Sequence, residues 1–224
     1  SVTIDFCDVH EYKFNTGGVS NGLLSKTIVY GRNSVGKTNL GLAIFDIVSH
    51  LTEKNVTPDL YNYYLNVENE TKRAEFFYVF QFGQDTIKYG YDKDEKRRLI
   101  SESLWINDVL IFSYDTRENK SDFSGVKEIS PTLNQDFEGI ESVLKYMVNN
   151  TALSDSHPLK KMMKYVSTML WFRNLEENRY IGYKNKSTDY FDFIFEETVL
   201  QEFQDFLHHS GVEENLIVKT DADG

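Results

Sequence analysis

The sequence predicts an α/β fold in three parts: a strand, loop and helix first, an antiparallel β subdomain next, and a partial helical lobe last. Three observations predict it. Over 27–51 a β-branched run gives way to glycines and then to apolar residues at helical spacing. Over 74–115 apolar residues alternate in runs separated by turn residues, and beyond 140 the helical period returns. At 224 residues and 40% hydrophobic content the chain can bury a sizeable core. It reads as one domain over 1–224, with parts at 1–53, 74–115 and 140–211.

The first element is "VTIDF", Val2 to Phe6, whose alternation predicts a half-buried strand, followed by "NTGGVSNG" as loop. "TIVY", Thr27 to Tyr30, predicts a second strand ending directly on Gly31. Leu40, Ala43, Ile44, Ile47, Val48 and Leu51 then define one face of a helix. Phe76, Tyr78, Phe80 and Phe82 share a strand face, "GQD" turns, and Ile87, Tyr89 and Tyr91 return. After the charged "DKDEKRR", "LISESLWI" and "VLIFSY" flank Asn107-Asp108 as a second hairpin, so four antiparallel strands are expected.

The remainder is expected to be mostly helical. A helix around "IESVLKYMV" precedes a second one after Pro158, with Leu159, Met162, Met163, Val166, Met169 and Leu170 on a packing stripe. A last helix starts at a Thr198-x-x-Gln201 capping box, buries Leu200, Phe203, Phe206 and Leu207, and stops at Gly211.

Charge and cysteine usage bound the partners. Asp and Glu outnumber Lys and Arg by 35 to 24, and a net charge of -11 argues against a broad grip on nucleic acid. Any such contact is expected in a local basic patch, a partner or a segment outside the chain. Cys7 is the single cysteine, expected as a small hydrophobe on a strand in a reducing, cytoplasmic setting. With no signal peptide and no long apolar run, no membrane association is expected. The chain opens at Ser1 and stops at "VKTDADG", which resembles neither a helix end nor a polar tail, so a fragment of a longer protein is expected.

The stretch "YGRNSVGKTNL", Tyr30 to Leu40, fits Gly-x4-Gly-Lys-[Ser/Thr], the phosphate loop of P-loop nucleotide-binding proteins, in its required place between a predicted strand and a predicted helix. Gly31 and Gly36 permit backbone conformations and close approach that a Cβ would obstruct. The N–H groups from Asn33 through Ser34, Val35, Gly36, Lys37 and Thr38 would form a concave anion nest. Lys37 would reach the β and γ phosphates of ATP and is the catalytic candidate; the Thr38 hydroxyl would complete the shell of Mg²⁺. Arg32 and Asn39 complete the expected nucleotide-binding run, Gly31 to Asn39.

"YGRNSVGKTNLGLAI" is similar to the G-x-N-x-x-G-K-[ST]-N-L pattern of ABC-type ATPase heads of the SMC and RecF lineage. The chain resembles in particular the bacterial AAA-fifteen ATPase family, including the stretch "AEFFYVFQFGQDTIKYGYDKDEKRRLISESLWIND" and the later "LWFRNLEENRYIGY". Asn33 matches the family's Asn at the third loop position and Asn39 the one after the Thr. The resemblance implies an ABC-ATPase-like head that binds Mg-ATP, pairs with a second head around nucleotide as a homodimer, and drives an effector protein such as a nuclease in anti-phage defence or DNA-associated work.

A complete head of that kind also needs a signature segment, a Walker B strand ending in Asp-Glu, and a switch histidine. "LIFSYD" ends at Asp115, but a serine interrupts it and no glutamate follows, so a plain edge strand is expected. "FDFIFEE" ends in Glu196-Glu197 without the Asp and is expected to lead into the capped helix; "HHSGVEE" does not serve as a signature. The expectation is that Walker B and signature follow Gly224, so that the full-length protein is an ATPase while this segment binds nucleotide without efficient hydrolysis.

Several other readings compete. A small GTPase would use "DFSG" (Asp122 to Gly125), "DFEG" (Asp136 to Gly139) and the near-match "NKSTD" (Asn185 to Asp189). A P-loop kinase would need lid arginines, for which Arg97-Arg98 in a solvated turn are poor candidates. A non-hydrolysing module would use ATP to organise a surface, with 16 Phe and 14 Tyr mostly in the core. A metal site is not expected: His208-His209 are neighbours about 100° apart on a helix, and His10, His50 and His157 lack ligand-spaced companions.

Overall fold

The computed structural model describes residues 2–9, 16–33, 35–52, 65, 70–134, 136–137, 142–174, 179–182, 197–212 and 215–216, with the backbone alone at 171–174, 179–182 and 197–198. The chain divides into two compact units, Ser1–Ile44 and Phe45–Gly224.

In the first unit a 3-10 turn, Thr16–Gly18, leads into a short antiparallel hairpin of β1 (Val19–Ser20) and β2 (Leu23–Leu24). Its turn residues Asn21 and Gly22 both take positive φ, 52° and 75°, which matches the twist of the flanking strands. The loop expected here is thus a hairpin, and Asn-Gly is its signal. Two expected strands do not form. Val2–Phe6 and Thr27–Tyr30 have no regular secondary structure, and their apolar side chains are exposed, Ile28 to 88% and Tyr30 to 91%. β propensity measures fit to a half-buried pleated surface, and among the described residues no strand pairs with either run. Cys7 is likewise exposed in a turn, its N–H donating to Asp5 Oδ1 at 2.8 Å, rather than lying on a strand.

Helix α1 (Lys37–Thr52) begins in the first unit and ends in the second. Its predicted apolar face turns inward at its C-terminal half, where Ile47, Val48 and Leu51 are fully buried.

The second unit is built on a five-stranded antiparallel sheet in the order β3-β4-β5-β6-β7. The strands are β3 (Arg73–Phe82), β4 (Asp85–Asp94), β5 (Leu99–Ile106), β6 (Val109–Asp115) and β7 (Lys120–Asp122). The tight turns fall where the sequence places them, with Gly83 at φ 67° and Asn107 and Asp108 at 51° and 64°. A fifth strand was not expected: exposed "KSD" carries no alternation, yet β7 pairs with β6, which makes β6 an interior strand rather than an edge.

One face of this sheet makes the core. Ile87, Tyr89 and Tyr91 of β4, Leu104 of β5 and Phe112 of β6 pack with α1, with α3 (Val143–Asn150) and with α4 (Pro158–Thr168); a short α2 (Val126–Ile129) adds Val126. Each fully buried large apolar side chain contributes roughly 1.5–3 kcal/mol. The methionines serve packing, Met147 and Met162 being buried. Both helices are capped by sequence. The Ser142 hydroxyl accepts from the Lys145 N–H at 3.2 Å, and His157 Nδ1 accepts from the Leu159 N–H at 3.2 Å with Pro158 in the first turn.

The helical lobe departs from expectation after Thr168. The stripe does not continue through Leu170; β8 (Leu170–Asn174) and β9 (Arg179–Gly182) pair as an antiparallel hairpin, as aromatic, β-prone "LWFRN" and "RYIG" favour. Helix α5 (Glu197–His209) includes Thr198 as its second residue rather than its cap. It ends as expected: Gly211 at φ 85° donates to His208 O, and the Val212 N–H donates to Leu207 O, both at 3.0 Å. Its apolar face is not buried as expected, since Phe203 and Phe206 are exposed and stack on each other, while Leu200 and Leu207 are half-buried.

Candidate functional site

The start of α1 has the backbone of an anion-holding turn. Gly36 takes φ 95° with no atom within 4 Å of where a Cβ would stand, so glycine is needed there for conformation and not for space. Gly31 is the reverse case: its φ lies outside the left-handed region, but a Cβ would stand 3.1 Å from Val35 Cγ2. The Gly36 carbonyl accepts from the Leu40 N–H at 2.9 Å, the first bond of the helix. The N–H groups of Lys37, Thr38 and Asn39 therefore point out of the helix end with no intrahelical acceptor, and no acidic residue in the first turn offsets the positive end of the helix dipole.

The Lys37 side chain folds back over this turn. Its Nζ donates to Gly31 O at 2.7 Å and to Arg32 O at 2.6 Å, which closes the loop on itself. Arg32, Asn33, Val35, Lys37, Thr38 and Asn39 are all exposed, whereas Ser34 lies outside the described residues. Outward amides, an ammonium spanning the loop and a hydroxyl one residue into the helix form the donor set that a polyphosphate with Mg²⁺ requires. The residues present fit that group.

Other candidates resolve differently. The Asp115 carboxylate is already engaged, accepting from the Arg117 and Glu118 N–H groups at 2.8 and 3.1 Å and pairing with Arg73 Nη2 at 3.0 Å. Glu196 lies outside the described residues, and Glu197 opens α5. "DFSG" is a structural turn: Asp122 Oδ1 accepts from the Ser124 N–H at 2.9 Å, and Gly125 lies so close to β6 that a Cβ would stand 2.7 Å from Ile111 Cα. "NKSTD" and Gly139 lie outside the described residues. Arg98 pairs with Asp94 at 2.8 Å within its turn. His208 contacts Gln204 and His209 contacts Asp205 O, each within the helix.

Sequence reasoning missed the polar core of the second unit. Asp46, Lys93 and Glu102 are 1%, 4% and 1% exposed, and His50 sits among them. The available signal was strand period: Lys93 falls two residues after Tyr91, and Glu102 two before Leu104, both on the inward face.

A family model described as "AAA domain, putative AbiEii toxin, Type IV TA system" matches residues 26–217, which includes the whole loop and α1. The chain belongs to this AAA domain family. The AAA domain is a P-loop NTPase of α/β composition with an antiparallel sheet, and the activity that the family carries at this level is that of a nucleotide-binding ATPase. No curated protein and no solved structure gives a match. Among the described residues, no helix of the AAA domain is long and apolar enough to cross a membrane.

Proposed function

We propose that this AAA domain binds Mg-ATP through Gly31 to Asn39 and acts as an ATPase head whose nucleotide-dependent pairing with a second copy drives an effector. The observation that carries the reading is the closed loop at the start of α1, with Gly36 in the left-handed region and Lys37 Nζ on the carbonyls of Gly31 and Arg32. In this reading Lys37 exchanges those carbonyls for phosphate oxygens, the amides through Thr38 hold the polyphosphate, and the Thr38 hydroxyl holds Mg²⁺. Bound Mg²⁺ would supply charge neutralisation across the phosphates. The resemblance of the loop to ABC-type heads supports the pairing. The family description names a toxin of a type IV toxin–antitoxin system, which supports a setting in growth arrest or phage defence.

Calorimetric titration with ATP and GTP in the presence of Mg²⁺ tests the reading. ATP should bind in preference to GTP, and Lys37→Ala should weaken it by about 2–3 kcal/mol, roughly thirty- to 150-fold, with unchanged thermal unfolding. Undiminished affinity in Lys37→Ala would remove the loop from the site, and a preference for GTP would favour a GTPase-like switch.

A further inference from the structure

The P-loop helix is fastened to the sheet and to α3 by buried polar bonds, not by apolar contact alone. Asp46 and His50 lie one turn apart on α1, hence on one face. From Asp46, Oδ2 accepts the Tyr91 hydroxyl at 2.8 Å and pairs with Lys93 Nζ at 2.6 Å. Lys93 lies at a register shift in the β4–β5 pairing, the kind of irregularity that re-aims a side chain. From His50, Nε2 bonds the Tyr89 hydroxyl at 2.8 Å, and the ring stacks on Tyr91 at 4.1 Å. The Tyr89 hydroxyl donates to Glu102 Oε1 at 2.8 Å.

Glu102 completes the chain at the start of α3. Its Oε2 accepts from the Val143 N–H at 2.8 Å, and its Oε1 from the Ser142 hydroxyl and the Leu144 N–H, at 2.8 and 3.2 Å. A carboxylate at this end also meets the helix dipole favourably. An unbroken path of hydrogen bonds therefore runs from His50 through Tyr89 and Glu102 to the first amides of α3.

The geometry points to a coupling device: His50, Tyr89 and Glu102 relay the state of the phosphate loop, carried along α1, to the N-terminus of α3. The inference rests on the nucleotide reading above and adds regulation of that site. Two features support it. Lys37, the first residue of α1, bonds loop carbonyls that it must release to hold phosphate, so the nucleotide reading requires a rearrangement at the head of this helix. Hydrogen bonds between buried groups resist gradual stretching, because a broken partner is left unsatisfied, so a shift of α1 is passed on rather than absorbed.

Amide hydrogen exchange read at Val143, Leu144 and Lys145, with and without Mg-ATP, tests the coupling in the chain as it stands. ATP binding should change exchange at these amides by about fivefold or more. His50→Phe, which keeps the stacking but cannot bond Tyr89, should bind ATP with unchanged affinity and lose the change in α3. If His50→Phe fails to fold, Tyr89→Phe breaks the same path by one hydroxyl and should give the same result. ATP binding with no change at these amides in the wild type overturns the coupling alone, as does a change that persists in the folded variant. Failure of the wild type to bind ATP overturns the nucleotide reading and the coupling with it.

Discussion

Gly36 and Gly125 are both glycines of necessity, for unlike reasons, and substitution separates them. Gly125→Ala would press a Cβ to 2.7 Å from the backbone of β6 and should destabilise the fold by about 2–3 kcal/mol in urea unfolding. Gly36→Ala meets no atom but must hold positive φ, a strain of about 1–2 kcal/mol. If the free loop relaxes that strain and ATP restores the turn, the cost falls on ATP affinity more than on global stability, and the reverse ranking would show the turn to be structural. The Asp46–Lys93 pair is buried on both sides, and Asp46→Ala alone should cost about 3–5 kcal/mol by stranding the ammonium. His50 adds a pH dependence. Burial first, then the charges of Lys93 and Lys145, hold its imidazole well below the usual histidine range. The unfolded chain takes up that proton first, so stability is full above about pH 6.5 and falls as pH drops from there toward the folded-state value. Glu102, raised by burial, works with opposite sign, its contribution being lost as pH rises, while Tyr89 and Tyr91 stay neutral here. Urea unfolding between pH 8 and pH 5, values of about the range concerned, should show the loss in wild type and less of it in His50→Phe; parallel curves would refute the assignment.

At the level of elements, β4 is the strand on which most depends, since its inward side chains are Ile87, Tyr89, Tyr91 and Lys93. Burial and the neighbouring Glu102 and Asp46 carboxylates raise Tyr89 and Tyr91 well above the ordinary phenol range. Their stability contribution is fully present below about pH 10 and is lost as pH rises beyond it. Absorbance titration at alkaline pH should find these two tyrosines ionising only as the sheet unfolds; smooth ionisation in the folded state would contradict the burial. Helix α1, both hairpins and the Gly211 stop were legible because each has a local cause: a period, a turn residue or a cap. The strands expected at Val2–Phe6 and Thr27–Tyr30 were misread because a strand needs a partner that local pattern does not supply. The β7 and β8–β9 strands escaped notice for the same reason in reverse, as pairing, not alternation, makes them.

For the whole molecule, the phosphate loop was readable as a motif, but what α1 is tied to was not. Asp46, His50, Lys93 and Glu102 are scattered over 57 residue positions and meet only after the sheet has formed. Net charge gives a further expectation. Two copies at -11 repel each other, so the pairing proposed above should strengthen as ionic strength rises from about 0.05 to 0.5 M and screening shortens. Sedimentation velocity across that range checks it, and pairing that weakens with salt would indicate an interface held by opposite charges instead.

Every neighbour in the five-stranded sheet is also the next strand in sequence. Such a meander closes through short loops and pays little chain entropy for each pairing. During folding it should assemble ahead of α1, whose docking must bridge the chain between Thr52 and Arg73, and ahead of α3. The polar bonds from Asp46 and His50 would then be among the last to form and the first to open, so substitutions there should accelerate unfolding and leave the folding rate nearly unchanged.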